Sequence, residues 1–211
     1  MPYPPRTDRR SIVSAAITVM DERGLDDVSL RVIAAHLGIR QPALYHHFAS
    51  KAELLDAVAD EILDRWHADR LPERGEQWAV FVARNARSLR RAMLTIRDGA
   101  RLIASSGSRS PRLDNAIAQV ALLEDAGFTG TGAVLALIAV SRYTIGAAIE
   151  QQTARDGGGI AIDTDRDDAA ANHIVDVTRQ VVAAGQDHEF ETGLAALLRG
   201  LDPTASSRTS D

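Results

Sequence analysis

The segment SLRVIAAHLGIRQPALYHHFASK, which begins at Ser29, constrains the fold more than any other part of this chain. Leu30, Ile33 and Leu37 follow the spacing i, i+3, i+7, which places them on one apolar stripe of an α-helix. Ser29 is a favourable N-cap for this helix, and Gly38 can end it in the left-handed conformation. The segment therefore predicts a short helix followed by a glycine turn.

A second short helix is predicted directly after that turn. Pro42 fits the first turn of a helix, so we expect a helix from Pro42 to about His47 with Gln41 as its N-cap. Leu44 and Phe48, four residues apart, face inward. The short polar and aromatic side chains that remain face outward, where they can touch base edges and phosphates: Gln41, Ala43, Tyr45, His46 and His47. Two such helices indicate a helix-turn-helix module over residues 29–48 that lies in a major groove.

Helical periodicity continues through the rest of the chain, and no segment shows a strand pattern. The predicted fold class is therefore all-α. A loop is expected where the periodicity fails, in ARDGGGIAIDTDRDD. The further helices are predicted at 8–23, 50–66, from Pro72 to the Arg97-Asp98-Gly99 segment, 113–126, 132–153, 169–184 and 188–200.

Composition excludes several classes of protein. The chain has 211 residues and no cysteine, which excludes disulfides and thiolate chemistry. It lacks a run of about 18 apolar residues and the apolar stretch of a signal peptide, so we expect a soluble, cytoplasmic protein with no membrane partner. It also lacks nucleophile–base pairs, a Glu-x-x-His metal pair and a glycine-rich phosphate loop between a strand and a helix. We expect no enzyme activity, no catalytic residue and no cofactor.

Charge is distributed unevenly along the chain. The net charge is −5, but residues 1–51 carry seven basic and five acidic groups and are therefore net +2. The remaining residues are net −7. This asymmetry favours a nucleic-acid-binding head attached to an acidic body, although a small helical domain of net +2 is also common by chance.

The stretch LRVIAAHLGIRQPALYHHFASKAELLDAVADEIL resembles the DNA-binding domain of the TetR family of bacterial repressors. The downstream stretches LPERGEQWAVFVARNARSLRRAMLTIRDGARL and AVSRYTIGAAIEQQ are similar to the regulatory core of the tetracycline repressor branch. The likeness covers roughly residues 8–152 and, more loosely, the last helix. It implies an N-terminal three-helix helix-turn-helix DNA-binding domain, residues 1–52, and a C-terminal helical ligand-binding and dimerisation domain, residues 53–211.

The resemblance also implies roles for individual residues of the DNA-binding head. Arg31 matches a position at a groove edge and Lys51 matches a phosphate contact. A guanidinium can pair with a guanine edge, whereas an ammonium neutralises a phosphate without reading sequence. The alternative is that both are ordinary surface charges. The candidate DNA-binding residues are Ser29, Arg31, Gln41, Pro42, Ala43, Tyr45, His46, His47 and Lys51.

The histidines of the head also allow a metal-binding interpretation. His46 and His47 are adjacent, and His36 is near them in sequence. Neighbouring residues on a helix point about 100° apart, and no cysteine or suitably spaced carboxylate completes a four-ligand set. We therefore expect surface or DNA-facing histidines and no metal site.

Four polar residues of the body match positions with which the tetracycline repressor holds its drug: His67, Asn85, Gln119 and Glu150. Each alone is more often an ordinary core or surface residue. Three other positions depart from that branch. Ile103 replaces a histidine that ligates drug-bound magnesium, Arg142 replaces a second histidine, and Leu89 replaces an aromatic residue. Isoleucine offers magnesium no ligand atom. An arginine on an apolar helix must pair with a protein carboxylate, such as Glu150 of either subunit, or with a ligand anion.

The helix predicted over 132–153 is apolar or small on every side and must be buried all round. It is a central core helix of one subunit or, as the resemblance implies, half of a dimer-forming four-helix arrangement with the last helix, and the two interpretations are compatible. The leading hypothesis is a homodimeric repressor that binds a palindromic double-stranded DNA operator. A small hydrophobic effector other than magnesium–tetracycline releases it. The alternative is an all-α small-molecule-binding or scaffold protein with a non-functional DNA-binding head.

Overall fold

The computed structural model describes residues 8–107, 112–155 and 168–203, and these form ten α-helices and no strand. The predicted all-α fold class is confirmed. Most of the loop predicted in ARDGGGIAIDTDRDD lies outside the described residues. The helices are α1 (Arg9–Arg23), α2 (Leu30–His36), α3 (Gln41–Tyr45), α4 (Lys51–Trp66), α5 (Trp78–Leu94), α6 (Gly99–Ser105), α7 (Leu113–Asp125), α8 (Gly130–Arg155), α9 (Ala169–Ala184) and α10 (Gln186–Leu201).

Helix α1 begins with a reciprocal cap. The Asp8 carboxylate accepts a hydrogen bond from the backbone N–H of Ser11, and the Ser11 hydroxyl accepts one from the backbone N–H of Asp8. Its apolar stripe includes the fully buried Ile12 and Val19. Gly24 ends the helix with φ 87°, a conformation that glycine adopts without strain. The helices of the head pack together: α1 packs against α2 and α4, and α2 packs against α3.

The turn between α2 and α3 forms as predicted, but the second helix differs in its bounds. Ser29 caps α2, and Gly38 adopts the left-handed conformation with φ 67°. Arg40, not Gln41, is the N-cap of α3, and it makes no side-chain hydrogen bond to the helix. The helix ends at Tyr45 because the backbone N–H groups of His47 and Phe48 both donate to the carbonyl of Leu44 and close a turn.

Helix α4 agrees with the helix predicted over residues 50–66, whereas the region after α5 differs from prediction. The Ser50 hydroxyl caps α4 by accepting from the N–H of Glu53. The Glu53 carboxylate accepts from the N–H of Ala49, so the reciprocal bond goes one residue earlier than in a capping box. Helix α5 already ends at Leu94, before the Arg97-Asp98-Gly99 segment, and Gly99 starts α6, a short helix that periodicity did not predict. Asp98 precedes it with φ 58°.

The described residues divide into two compact units. The first comprises residues 1–70 and 87–116, and the second comprises residues 71–86 and 117–211, so α5 contributes to both. These two units are defined by contacts within one chain, and their boundaries differ from the domain boundary expected at residue 52. The domain boundary at residue 52 stays a prediction. In the first unit α4 packs against α6, and in the second α10 packs against both α8 and α9.

The core of the second unit is built mainly from alanines and larger apolar residues of α5, α7, α8 and α10. Phe81, Leu123 and Phe190 are its largest buried members. Tyr143 stacks on Phe190 with ring centroids 5.6 Å apart, and its hydroxyl donates to the Phe190 carbonyl at 2.9 Å. A Cβ at Gly193 would overlap the Tyr143 hydroxyl, so a larger residue there would force Tyr143 to shift.

Helix α8 is the one helix among the described residues that is long and apolar enough to cross a membrane by length and composition. Only a third of its most apolar window is buried in the single chain. Val134, Leu135 and Ile138 are 44%, 59% and 37% exposed. The composition of this helix led us to expect burial on every side. A single chain does not provide it.

Candidate nucleic-acid interface and effector site

Helix α3 presents the face that the sequence predicted. Leu44 and Phe48 are fully buried, whereas Tyr45 is 53% exposed. Pro42 and His46 are exposed, and Gln41, Ala43 and His47 are half-buried. The amide nitrogen of Gln41 lies 3.4 Å from the Tyr45 hydroxyl, one turn away. The buried pair fixes the orientation of the helix, and this leaves polar and aromatic groups toward solvent.

Arg31 and Lys51 are the exposed cations nearest in sequence to the two ends of this motif. Neither forms an ion pair within residues 8–107, 112–155 and 168–203, so both charges are available to an external anion. Ser29 is half-buried, and its hydroxyl already accepts from the Val32 N–H at 3.2 Å. Its structural role is therefore that of a cap.

A clamp at the end of α3 was missed by the sequence analysis. The Arg9 guanidinium donates to the His47 carbonyl at 2.7 Å and to the Glu53 carboxylate at 2.9 Å, and it lies 4.1 Å from the Phe48 ring centroid. Bonds from the Ala49 N–H and from Arg9 lower the pKa of Glu53. The clamp connects α1 to the turn between α3 and α4 and to Glu53 of α4. An arginine at the first position of a helix gives no sequence signal for such a distant contact.

The metal-binding alternative for the head receives no support. Across the part of the chain that the structure describes, no group of three or more histidine, aspartate or glutamate side chains could hold a metal ion. His36 and His46 are exposed and His47 is half-buried.

In the first unit, His67 is the C-cap of α4 and its ring contacts α5. Its Nδ1 lies 3.0 Å from the hydroxyl oxygen of Ser88, a fully buried residue. The pKa of His67 is lowered from 6.5 to about 4, first by burial and then by the nearby cations Arg70 and Arg91, while Asp69 opposes this lowering. The ring is consequently neutral near pH 7.

Ser88 was not among the predicted site residues. A signal was available in the sequence, because Phe81, Asn85, Ser88 and Ala92 follow the spacing i, i+4, i+7, i+11 of one helix face. A serine at a buried position of such a stripe requires a hydrogen-bond partner. The partner itself, His67, could not be found from spacing alone.

The other two predicted effector residues of the first unit are apolar. Ile103 is 1% exposed on α6, and Leu89 is half-buried on α5. A buried isoleucine offers no lone pair to a magnesium ion, which prefers oxygen ligands. Neither side chain can replace a metal-binding histidine.

In the second unit, the four predicted residues differ in exposure. Gln119 is buried on α7 and Asn85 is half-buried on α5, and both make polar interactions. Arg142 and Glu150 are exposed on α8, two turns apart. No carboxylate of residues 8–107, 112–155 or 168–203 pairs with Arg142. Arg142 therefore does not pair with a carboxylate of the described part of its own chain, which was one of the partners expected for it.

A polar network within the first unit connects α6 to the loop between α1 and α2. The Asp98 carboxylate accepts from the Leu25 backbone N–H at 2.8 Å. Arg101 pairs with Asp98 at 3.1 Å and with both carboxylate oxygens of Asp26 at 3.1 and 3.3 Å. The bonds to Asp26 and then Asp98 raise the pKa of Arg101. The network joins the helix that carries Ile103 to the DNA-binding head.

Comparison with known proteins agrees with both regions of this architecture. The family described as "Bacterial regulatory proteins, tetR family" matches residues 12–58, and the one described as "Tetracyclin repressor-like, C-terminal domain" matches residues 71–204. The chain belongs to the TetR family. It is a transcription repressor with a DNA-binding helix-turn-helix and a ligand-binding region, and the related proteins are regulators, not enzymes.

Relatives of known name extend over nearly the whole chain. The tetracycline repressor protein class C of Escherichia coli is 36% identical, over 93% of this chain and 91% of its own length. A glutamine-to-alanine variant of TetR from Acinetobacter baumannii AYE, solved in complex with minocycline, has a TM-score of 0.82 at 34% identity, covering 94% of both chains. TetR(class A), solved in complex with 5a,6-anhydrotetracycline and magnesium, has a TM-score of 0.71 at 34% identity, covering 94% of this chain and 98% of its own.

Proposed function

We propose that this TetR-family repressor binds a palindromic operator as a homodimer and is released by a small hydrophobic effector that needs no magnesium. The observation that carries the DNA-binding part is the exposed face of α3, together with two exposed cations of the neighbouring helices, Arg31 of α2 and Lys51 of α4, that form no ion pair within the described residues. The proposed domains are residues 1–52 for DNA binding and 53–211 for effector binding and dimerisation. The protein acts in the cytoplasm, where its operator lies.

The proposed interface makes two kinds of contact with DNA. Gln41, Tyr45 and His47, with Arg31, contact base edges, and Lys51 contributes backbone affinity. Phosphate contacts position a protein on DNA, whereas base contacts specify the sequence. Ser29, Pro42, Ala43 and His46 complete the contact surface.

A gel shift with the DNA upstream of the protein's own gene, at stated salt, tests this assignment. Retarded DNA that resists excess random competitor supports a repressor. If upstream DNA and random DNA compete equally, the head is non-functional and the protein is instead an all-α small-molecule-binding or scaffold protein. Selection of bound DNA from a random pool then defines the operator and its half-site spacing.

The effector is proposed to be an apolar, polycyclic molecule that bears an acidic or carbonyl oxygen. Arg142, left without a carboxylate of its own described chain, is proposed to contact that oxygen or Glu150 of the second subunit. The other proposed contacts are His67, Asn85, Leu89, Ile103, Gln119 and Glu150. Minocycline and anhydrotetracycline, bound by the related proteins, show that relatives bind polycyclic ligands.

The proposal that effector binding needs no magnesium rests on two positions where this sequence differs from the tetracycline repressor branch. Ile103 offers no ligand atom, and Arg142 adds a permanent positive charge, which repels a divalent cation. Calorimetry with magnesium–tetracycline, with and without a chelator, tests the proposal. We expect weak binding in both conditions. Tight binding that the chelator abolishes would show that a metal site persists without its histidine.

The proposed release mechanism is a linkage between two binding equilibria. An effector shifts the population away from DNA-competent heads only if it binds the other state more tightly. Within the first unit, α4 runs from the DNA-binding head to His67, and Asp98 and Arg101 tie α6 to the α1–α2 loop. Both connections would transmit a displacement at His67 or Ile103 to the head.

A further inference from the structure

The buried hydroxyl of Ser88 forms two hydrogen bonds that together determine which nitrogen of His67 carries the ring proton. The Ser88 oxygen lies 3.2 Å from the backbone nitrogen of Asp69 and 3.0 Å from Nδ1 of His67. The Asp69 N–H can only donate, so the Ser88 oxygen accepts this bond. The single hydroxyl hydrogen of Ser88 remains to be placed.

Only one assignment satisfies every donor. Within the described ranges the Ser88 hydroxyl has no acceptor other than Nδ1 of His67. If Nδ1 carried the ring proton, it would also donate to Ser88, and a fully buried hydroxyl hydrogen would have no acceptor. Leaving a buried donor unsatisfied is unfavourable. The hydroxyl therefore donates to Nδ1, and the proton of the neutral ring resides on Nε2.

The Nε2–H group of His67 is free to bind a ligand. It makes no hydrogen bond to any of residues 8–107, 112–155 and 168–203. The charged groups that face the ring are Asp69, which follows α4, and Arg70 and Arg91, and the two cations oppose its protonation. The ring therefore stays neutral near pH 7 and presents one N–H donor and no acceptor.

We propose that Ser88 is a positioning residue of the effector site, which fixes His67 as an Nε2–H donor and thereby selects effectors that place an acceptor oxygen against the ring. An effector that presents an ammonium or hydroxyl hydrogen there finds no acceptor, because Nδ1 is occupied by Ser88. This inference rests on the proposed effector-binding function.

The tautomer is measured directly by long-range ¹H–¹⁵N NMR of the ligand-free full chain with ¹⁵N-labelled histidine, and the His67 signals are assigned by their absence in His67→Gln. We expect the Nε2–H tautomer at pH 7. A dominant Nδ1–H tautomer, or a protonated ring, would overturn the proposal. The experiment uses neither DNA nor effector, so its failure is distinguishable from a failed gel shift.

Two variants test the role of the Ser88 hydroxyl. Ser88→Ala removes the donor to Nδ1, and we expect a shift from one dominant tautomer to a mixture. Thr95→Ala is the matched control. The hydroxyl of Thr95, just after α5, bonds within the described residues only to the Arg91 carbonyl, so its loss should leave the His67 signals unchanged. An unchanged tautomer in folded Ser88→Ala contradicts the assignment, and if that variant does not fold, the wild-type spectrum decides.

A pair of matched polycyclic probes tests the selectivity for acceptors. 9-Acetylanthracene presents a carbonyl oxygen, and 9-(aminomethyl)anthracene presents an ammonium group on the same ring system. The acetyl probe should shift the Nε2–H signal of His67 in the wild type. A shift with the ammonium probe contradicts the acceptor requirement. The absence of a shift with both probes contradicts it as well.

Discussion

At the scale of single residues, Arg31 and Lys51 are alike in exposure but different in chemistry. Both are exposed and form no ion pair within the described residues; Arg31 lies on α2 and Lys51 is the first residue of α4. A guanidinium donates two parallel hydrogen bonds and can match a guanine edge, whereas an ammonium acts as a point charge. Substitution of each should therefore change a different property of DNA binding.

Arg31→Ala should weaken binding to the selected operator by about 1–3 kcal/mol per half-site and relax the base preference at one symmetric position. Lys51→Ala should weaken all sequences alike and reduce the salt slope by about one unit per head. Titrations of selected and random DNA at several salt concentrations measure both effects. Equal losses on both DNAs for the two variants would contradict this division of roles.

His67 makes the stability of the protein depend on pH. Its pKa in the folded chain is about 4, below the ordinary 6.5, so the unfolded chain binds more protons between these values. Its contribution to stability is present above pH 6.5 and is lost as the pH falls toward 4. We expect the free energy of unfolding to fall by about 2 kcal/mol more in wild type than in His67→Gln between pH 7.5 and 5. Urea titrations at both pH values measure the difference, and parallel curves would contradict it.

At the scale of helices, the start of a helix can be predicted where the signal is local, as the N-cap predicted at Ser29 was. Asp8, Ser29 and Ser50 cap α1, α2 and α4 because a short polar side chain can accept from the backbone three residues later. Arg40 begins α3 without any such side chain, and α6 begins at Gly99. The fit of α6 depends on a glycine, since a Cβ at Gly99 would overlap the Met93 carbonyl. Such a close approach has no local sequence signal.

The contact between α8 and α10 provides a test of packing. Gly193→Ala places a methyl group where the Tyr143 hydroxyl lies and should displace its hydrogen bond to the Phe190 carbonyl. We expect a loss of about 1–3 kcal/mol in the free energy of unfolding. Gly200→Ala, also in α10, meets no atom within 4 Å and should be neutral or stabilise by up to about 1 kcal/mol. Equal denaturation midpoints for the two variants would show that Tyr143 relocates at no cost.

At the scale of the whole molecule, the sequence predicted the class of fold and the residues that resemble a known site, but it could not predict how α8 is covered. Its composition demands burial on all sides, yet Leu135 and its neighbours remain exposed in one chain. Helix α9 likewise exposes Ile174 and Val182, at 48% and 54%. Periodicity within one chain does not describe what covers these exposed surfaces.

We expect that the apolar surface of α8 makes folding and dimerisation inseparable. Leu135→Glu is a suitable probe because its side chain is 59% exposed in one chain, whereas Leu197 packs against the core of its own unit and a change there would also disturb the fold. A buried unpaired carboxylate at a dimer interface is strongly unfavourable, so Leu135→Glu should give aggregated or DNA-inactive monomeric protein.

Val80→Glu is the matched control, since Val80 is 53% exposed on α5. It should sediment as the wild type does and retain operator binding. Sedimentation at micromolar protein and a gel shift of the same samples measure assembly and DNA binding together. If the wild type is a well-folded monomer, or if Leu135→Glu remains a dimer that binds operator, then α8 is not the dimer surface and its exposed Val134, Leu135 and Ile138 face another partner.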